Sequence, residues 1–318
     1  EIGTGDWSSD VCSSDLAEYD PITYNVQFKS NNGKNEVVTV SDVKFNETKL
    51  TLAADTFAYA GHTFAGWLLD DATATKREFT ANEEYNALTS VEGATVTFLA
   101  QWTANKYEVT FDANGGSLAE GEGTLEVTFG EHYGTLPTPT REAGYTFAGW
   151  YTTRLADDAS TADATCILES TTVGTDANGQ TLYAYWTINT YSISFDVNKP
   201  SNASNEVENV PNTIENVKFR STVTLEEPTL VGWTFAGWFT QAVSGDLVST
   251  NYTLETAGNV ELHAHWTATT YQVTYHRNLG TDQTKVVEYT YDTPTQFEPS
   301  NIFSYIDNNI EYFFTAWC

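Results

Sequence analysis

The stretch YTFAGW (145–150) recurs as HTFAGW (62–67) and WTFAGW (233–238), and a worn copy, YFFTAW (312–317), closes the chain. A self-similar motif at intervals of about 80 residues must be settled before any local reading, because it fixes the unit that folds.

Two further motifs keep step with it. FLAQWT (98–103), LYAYWT (182–187) and LHAHWT (262–267) close each unit. YNVQF at Tyr24, YEVTF at Tyr107, YSISF at Tyr191 and YQVTY at Tyr271 open each unit, at steps of 83, 84 and 80 residues. The step from the closing tryptophan to the next opening tyrosine is always five residues, as in Trp102 to Tyr107. A constant junction around an interior of variable length marks the repeat boundary. The reading is repeat 1 over 17–103, repeat 2 over 104–187, repeat 3 over 188–267 and a truncated repeat 4 over 268–318.

Within a unit the pattern is that of strands. Tyr107, Val109 and Phe111 alternate with Glu108 and Thr110, the period of a half-buried strand. Asn114-Gly115 and Asn32-Gly33 follow two of these strands, and Asn-Gly predicts a tight hairpin into TLEVTF (124–129) or EVVTV (36–40). The Phe-Ala-Gly-Trp segment predicts an interior strand with bulk on both faces, its glycine leaving room for a neighbouring ring. In the closing strand, Leu182, Ala184 and Trp186 share a face, so the alanine makes space for a facing ring. The inward face falls on even numbers there and on odd numbers in the next opening strand (191, 193, 195). A bend or bulge at the junction, with a separate core on each side, follows. The linkers TANK (103–106), TINT (187–190) and TATT (267–270) hold neither Pro nor Gly, which limits swing between units.

The motif order resembles the Listeria–Bacteroides repeat family, also called internalin B-type repeats. Repeat 2 carries the resemblance best, in YEVTFDANGGS (107–117), LPTPTREAGYTFAGWYT (136–152) and LYAYWT (182–187). The resemblance spans about residues 22 to 318. It implies a mainly β or α+β fold of small β-grasp-like modules, strung as beads in bacterial surface or secreted proteins, and no catalytic residues. Repeats 1 and 3 depart from it at KFNETKLTLAADTFAYAG (44–61) and KFRSTVTLEEPTLVG (218–232), where a short helix or an extra strand is expected.

Residues 1–16, EIGTGDWSSDVCSSDL, match no part of any unit. In one reading frame a short-read library adapter encodes Asp6 through Asp15 and opens the codon of Leu16. The segment is therefore read as a non-native leader, a translated sequencing adapter, and set aside from fold reasoning. The chain is read as a fragment truncated at both ends.

An 80-residue module without metal or disulfide is near the lower limit for a stable core. About six large aromatics per unit supply it, each ring burying roughly 150–250 Å². Trp67, Trp102, Trp150, Trp186, Trp238 and Trp266, with Phe64, Phe147 and Phe235, are assigned to the core rather than to an exposed platform for sugars.

Composition narrows the function. Lys and Arg number 14 against 43 Asp and Glu, a formal net charge of −29. Such a chain repels phosphate backbones and anionic lipid surfaces, so no nucleic-acid partner is expected. No apolar run approaches the roughly 18 residues of a membrane span, and no direct membrane insertion is expected. Cys12, Cys166 and Cys318 are too few and too scattered for a disulfide framework or a zinc site.

His263-x-His265 places two imidazoles on one strand face, but the matching pairs are Leu99/Gln101 and Tyr183/Tyr185, and no third ligand is evident. LPTPT (136–140) has Pro139 where a sortase signal has threonine. Asp112 and Asp176 lack calcium-loop spacing and suit turns. Asn46, Asn202 and Asn251 sit in sequons that mean little in a bacterial protein. G-x-S-x-G, H-E-x-x-H and P-loop patterns do not occur. The expectation is a monomeric, extracellular array without enzymatic activity, cofactor or metal. It serves as a spacer or stalk, with direct adhesion to a host protein or glycan as the alternative.

Overall fold

The computed structural model describes residues 20–51, 53, 57–276, 283–296, 305–307 and 310–312. Residues 1–16 lie outside them. Each of the first three repeats forms one five-stranded sheet. In repeat 2 the opening strand Lys106–Asp112 lies between the return strand Thr124–Thr128 and the closing strand Thr181–Ile188. The tryptophan strand Tyr145–Tyr151 flanks the closing strand, and the short strand Cys166–Ile167 forms the far edge. Repeat 1 has the same order with Thr23–Lys29, Val37–Lys44, Thr95–Ala104, His62–Leu69 and Glu78–Phe79. Repeat 3 has it with Thr190–Asp196, Ile214–Lys218, Val260–Ala268, Trp233–Phe239 and Leu247–Val248.

The central pair, opening and closing strands, is parallel and every other pair is antiparallel. A parallel pair needs a long crossover. The tryptophan strand is part of that crossover. No α-helix occurs among the described residues; a 3-10 turn at Thr175–Ala177 is the nearest approach. The fold is therefore nearly all-β, and the α+β alternative falls away. The two divergent segments supply extra strands: Leu50–Thr51 pairs with Glu84–Tyr85, and Thr222–Thr224 with Asn251–Thr253.

Two local expectations are corrected. The opening and return strands are not joined by two-residue hairpins; residues 30–36 and 113–123 intervene. Asn31 and Asn114 take positive φ there, and their side chains hold the loop instead of closing a tight turn. The Phe-Ala-Gly-Trp segment does not place bulk on both faces. The register slips between Phe64 and Gly66, Phe147 and Gly149, and Phe235 and Gly237. Ala65, Ala148 and Ala236 are thus the extra residues of a β-bulge, and glycine supplies the positive φ beside them. The bulge resets the alternation, so phenylalanine and tryptophan, three apart in sequence, fall on one face.

Each repeat has its own buried cluster, and no cluster includes a residue of another. At each junction the strand breaks for one residue, Asn105, Asn189 or Thr269. After the third junction Thr270–His276 pairs with Thr284–Thr290, and Tyr305–Asp307 with Ile310–Tyr312.

Candidate functional site

The aromatic residues singled out in the sequence form one arrangement, built three times. Phe147 lies edge-on to Trp150 at 5.5 Å and to Trp186 at 5.7 Å. Phe64 does so to Trp67 and Trp102 at 5.1 and 5.6 Å, and Phe235 to Trp238 and Trp266 at 5.5 Å each. These are favourable ring geometries, worth about 0.5–1.5 kcal/mol per pair beyond area burial. Trp67, Trp150 and Trp238 stand in register with Ala100, Ala184 and Ala264 of the closing strand, all buried. A small residue beside each indole gives it room. Trp67, Trp150, Trp186 and Trp238 are buried; Trp102 and Trp266 pack on their clusters from the edge.

A buried indole N–H needs an acceptor, and each of the six finds a loop carbonyl. Trp67, Trp150 and Trp238 donate to Ala53, Pro137 and Glu226 of the crossover loop. Trp102, Trp186 and Trp266 donate to Ser30, Ala113 and Val197, just after the opening strand. Asn31, Asn114 and Asn198 donate from Nδ2 to Ala100, Ala184 and Ala264. The core thus pegs its loops to the sheet.

Several titratable groups are engaged in the same framework. His263 Nδ1 lies 2.8 Å from Asp196 Oδ2, and His265 stacks on Phe239 at 3.9 Å with Nε2 3.0 Å from the Gln241 carbonyl. The Asn198 N–H, then His263, hold the Asp196 carboxyl below its usual range. The Arg141 guanidinium makes paired bonds of 2.7 and 2.9 Å to Asp157 and lies 3.6 Å from the Tyr145 ring centroid. No group of three or more His, Cys, Asp or Glu that could hold a metal occurs among the described residues.

The feature with the most to say about function lies between the repeats. Asn105 N–H donates to the Gly61 carbonyl at 2.9 Å, and Phe129 N–H donates to the Asn105 carbonyl at 2.8 Å. The Phe129 ring covers Gly61, where an added Cβ would sit 2.4 Å from it. The next junction repeats this with Gly144, Asn189 and Phe219, at 2.9, 3.0 and 2.4 Å. The third repeats it with Gly232, Thr269 and Tyr291, at 2.9, 3.0 and 2.1 Å. Each glycine has positive φ, at 71°, 102° and 79°. A side chain there meets both backbone strain and a ring.

Further contacts differ between junctions. Thr63 and Thr146 donate to Asn105 and Asn189 Oδ1 at 2.6 and 2.7 Å. Lys218–Asp158 at 2.9 Å and Arg220–Glu142 at 3.1 Å cross the second junction. At the third, Asn205 donates to the Tyr291 hydroxyl at 3.0 Å, and Ser204 N–H to Asp292 at 3.0 Å. Sequence reading located the junction but missed this joint. The signal present was a glycine ahead of each motif (AGH, AGY, VGW) and a recurrent Lys/Thr–Phe/Tyr pair at 44–45, 128–129, 218–219 and 290–291.

The Listeria–Bacteroides repeat domain matches residues 24–101, 107–184 and 191–265. The chain belongs to the Listeria–Bacteroides repeat family. Two proteins of Evansella cellulosilytica, described as candidate membrane proteins and one of them as Gly-rich, are 30% and 29% identical to it. Those matches cover 82% and 85% of this chain, and 34% and 27% of the relatives. Internalin H of Listeria monocytogenes is 29% identical over 58% of this chain and 30% of its own length. The chain therefore spans about a third or less of the curated relatives it matches. No helix among the described residues is long and apolar enough to cross a membrane.

Proposed function

We propose that these Listeria–Bacteroides repeats are a stiff, non-catalytic spacer in a surface-associated bacterial protein, exposed outside the cell. The units are repeat 1 (17–103), repeat 2 (104–187), repeat 3 (188–267) and part of a fourth (268–318). The observation that carries the reading is the joint, built from the same three backbone positions at all three junctions. A spacer needs its units held at fixed angles, and a bonded, ring-covered glycine does that without a large interface. The relatives support the setting, since they are described as candidate membrane proteins and an internalin. The adhesive alternative needs a row of exposed rings, whereas the motif aromatics are spent on the three cores.

Small-angle scattering on the full chain tests this. Units about 30 Å across, three in line, give a longest dimension of roughly 90 Å or more; a single globule of this length is about 50 Å across. The smaller value would overturn the spacer reading.

A further inference from the structure

Every joint uses the same face of the following repeat: the residue two before the opening tyrosine, and the aromatic residue after the return strand. Repeat 1 carries this face too. Phe45 follows the return strand Val37–Lys44, and its N–H donates to the Ile22 carbonyl at 2.8 Å. Phe129, Phe219 and Tyr291 make the same bond to Asn105, Asn189 and Thr269. Phe45 packs on its own cluster and is half-buried. Among the described residues no glycine faces its ring, and the Ile22 N–H meets no acceptor. Lys44 stands where Lys218 stands, and Lys218 reaches Asp158 of the preceding repeat.

We propose that Ile22, Lys44 and Phe45 form a docking surface for the glycine corner of another repeat of this kind, joined through the chain ahead of Ile22. The occupant is specified by the three joints already present. It offers a left-handed glycine whose carbonyl accepts from Ile22 N–H and whose open face takes the Phe45 ring. A carboxylate at the position of Asp158 would meet Lys44. A residue with a Cβ at that corner is excluded by the ring, so the surface selects its partner by a single hydrogen atom. The proposal does not depend on the spacer reading.

The test uses the full chain with a copy of residues 188–268 placed directly before Ile22, in place of 1–21. Amide hydrogen exchange is read at Ile22, with Asn105, Asn189 and Thr269 as internal references. Exchange at Ile22 is expected to slow about tenfold or more relative to the unextended chain. Gly232→Ala in the inserted copy, or Phe45→Ala, should return it to the unextended rate. Unchanged references and core amides would show that the variants fold. Fast exchange at Ile22 in the extended chain would overturn the proposal. Protection at Ile22 in the unextended chain that grows with concentration would also overturn it, by placing the partner on a second molecule.

Discussion

Gly144 and Phe219 belong to different repeats, yet a Cβ on the first would lie 2.4 Å from the ring of the second. The glycine backbone and the ring are therefore one packing unit, and the junction between repeats 2 and 3 is an interface as well as a tether.

Gly144→Ala should open this joint. The substitution adds left-handed strain of about 1–2 kcal/mol and a clash with the buried Phe219 ring, which Tyr145 meets edge-on at 5.8 Å. Gly130 is the control, with φ of 81° and nothing within 4 Å of an added Cβ. Gly130→Ala should carry the strain alone. Exchange at the Asn189 amide is expected to rise strongly in the first variant and little in the second. Equal behaviour would reduce the joint to backbone strain.

Trp150→Ala should destabilise repeat 2 by about 3–5 kcal/mol, as for other buried aromatic rings. It removes a buried indole and leaves the Pro137 carbonyl without its donor. Repeats 1 and 3 keep their own clusters and should lose protection only near the joints. Hydrogen exchange resolved by repeat checks this; uniform loss in all three would mean a shared core.

The second joint should weaken in acid. Lys218, then the Ile188 N–H, hold the Asp158 carboxyl below its ordinary value. A carboxylate whose folded pKa is depressed adds stability that is present above the unfolded pKa. That stability is lost as pH falls through the folded value. Protection factors at Asn189 should therefore drop in that acidic window. No ion pair among the described residues crosses the joint at Gly61, so Asn105 should be steadier. Asp158→Asn, made beside Glu142→Gln so that neither ion pair of this joint remains, should lower the Asn189 value at neutral pH and remove its acid dependence. An acid response that survives both changes would assign it elsewhere.

The Arg141 site gives a further check on the loop pegs. Arg141→Lys keeps the charge but loses the paired bonds to Asp157 and the stacking on Tyr145, so it should cost about 1–2 kcal/mol. Thermal or denaturant unfolding followed at repeat 2 measures it. A neutral effect would show that a point charge suffices.

Most of the sheet was legible because period two is a local signal. Tyr107, Val109 and Phe111 alternate as the opening strand requires, and Leu182, Ala184 and Trp186 mark the closing one. The bulge at Ala148 was not, because Phe-Ala-Gly-Trp reads as plain alternation until the partner strand sets the register. The Asn114-Gly115 loop is masked in sequence for a similar reason: Asn114 is held by Leu155 and Ala184, both remote in sequence. The joint was hidden most completely. Gly61 and Phe129 lie in different units, and neither carries a pattern that names the other.

The glycine–ring joint is the element expected to fix one repeat against the next. Its most direct test is a spin-label distance across the second joint, from position 168 to position 243. Leu168 and Val243 are exposed, at 59% and 80%. Both become labelled cysteines, with Cys12, Cys166 and Cys318 changed to serine. A single narrow distance distribution is expected in this chain, broadening in Gly144→Ala and staying narrow in Gly130→Ala. A broad distribution before any change at Gly144 would show that the joint does not hold the repeats at a fixed angle.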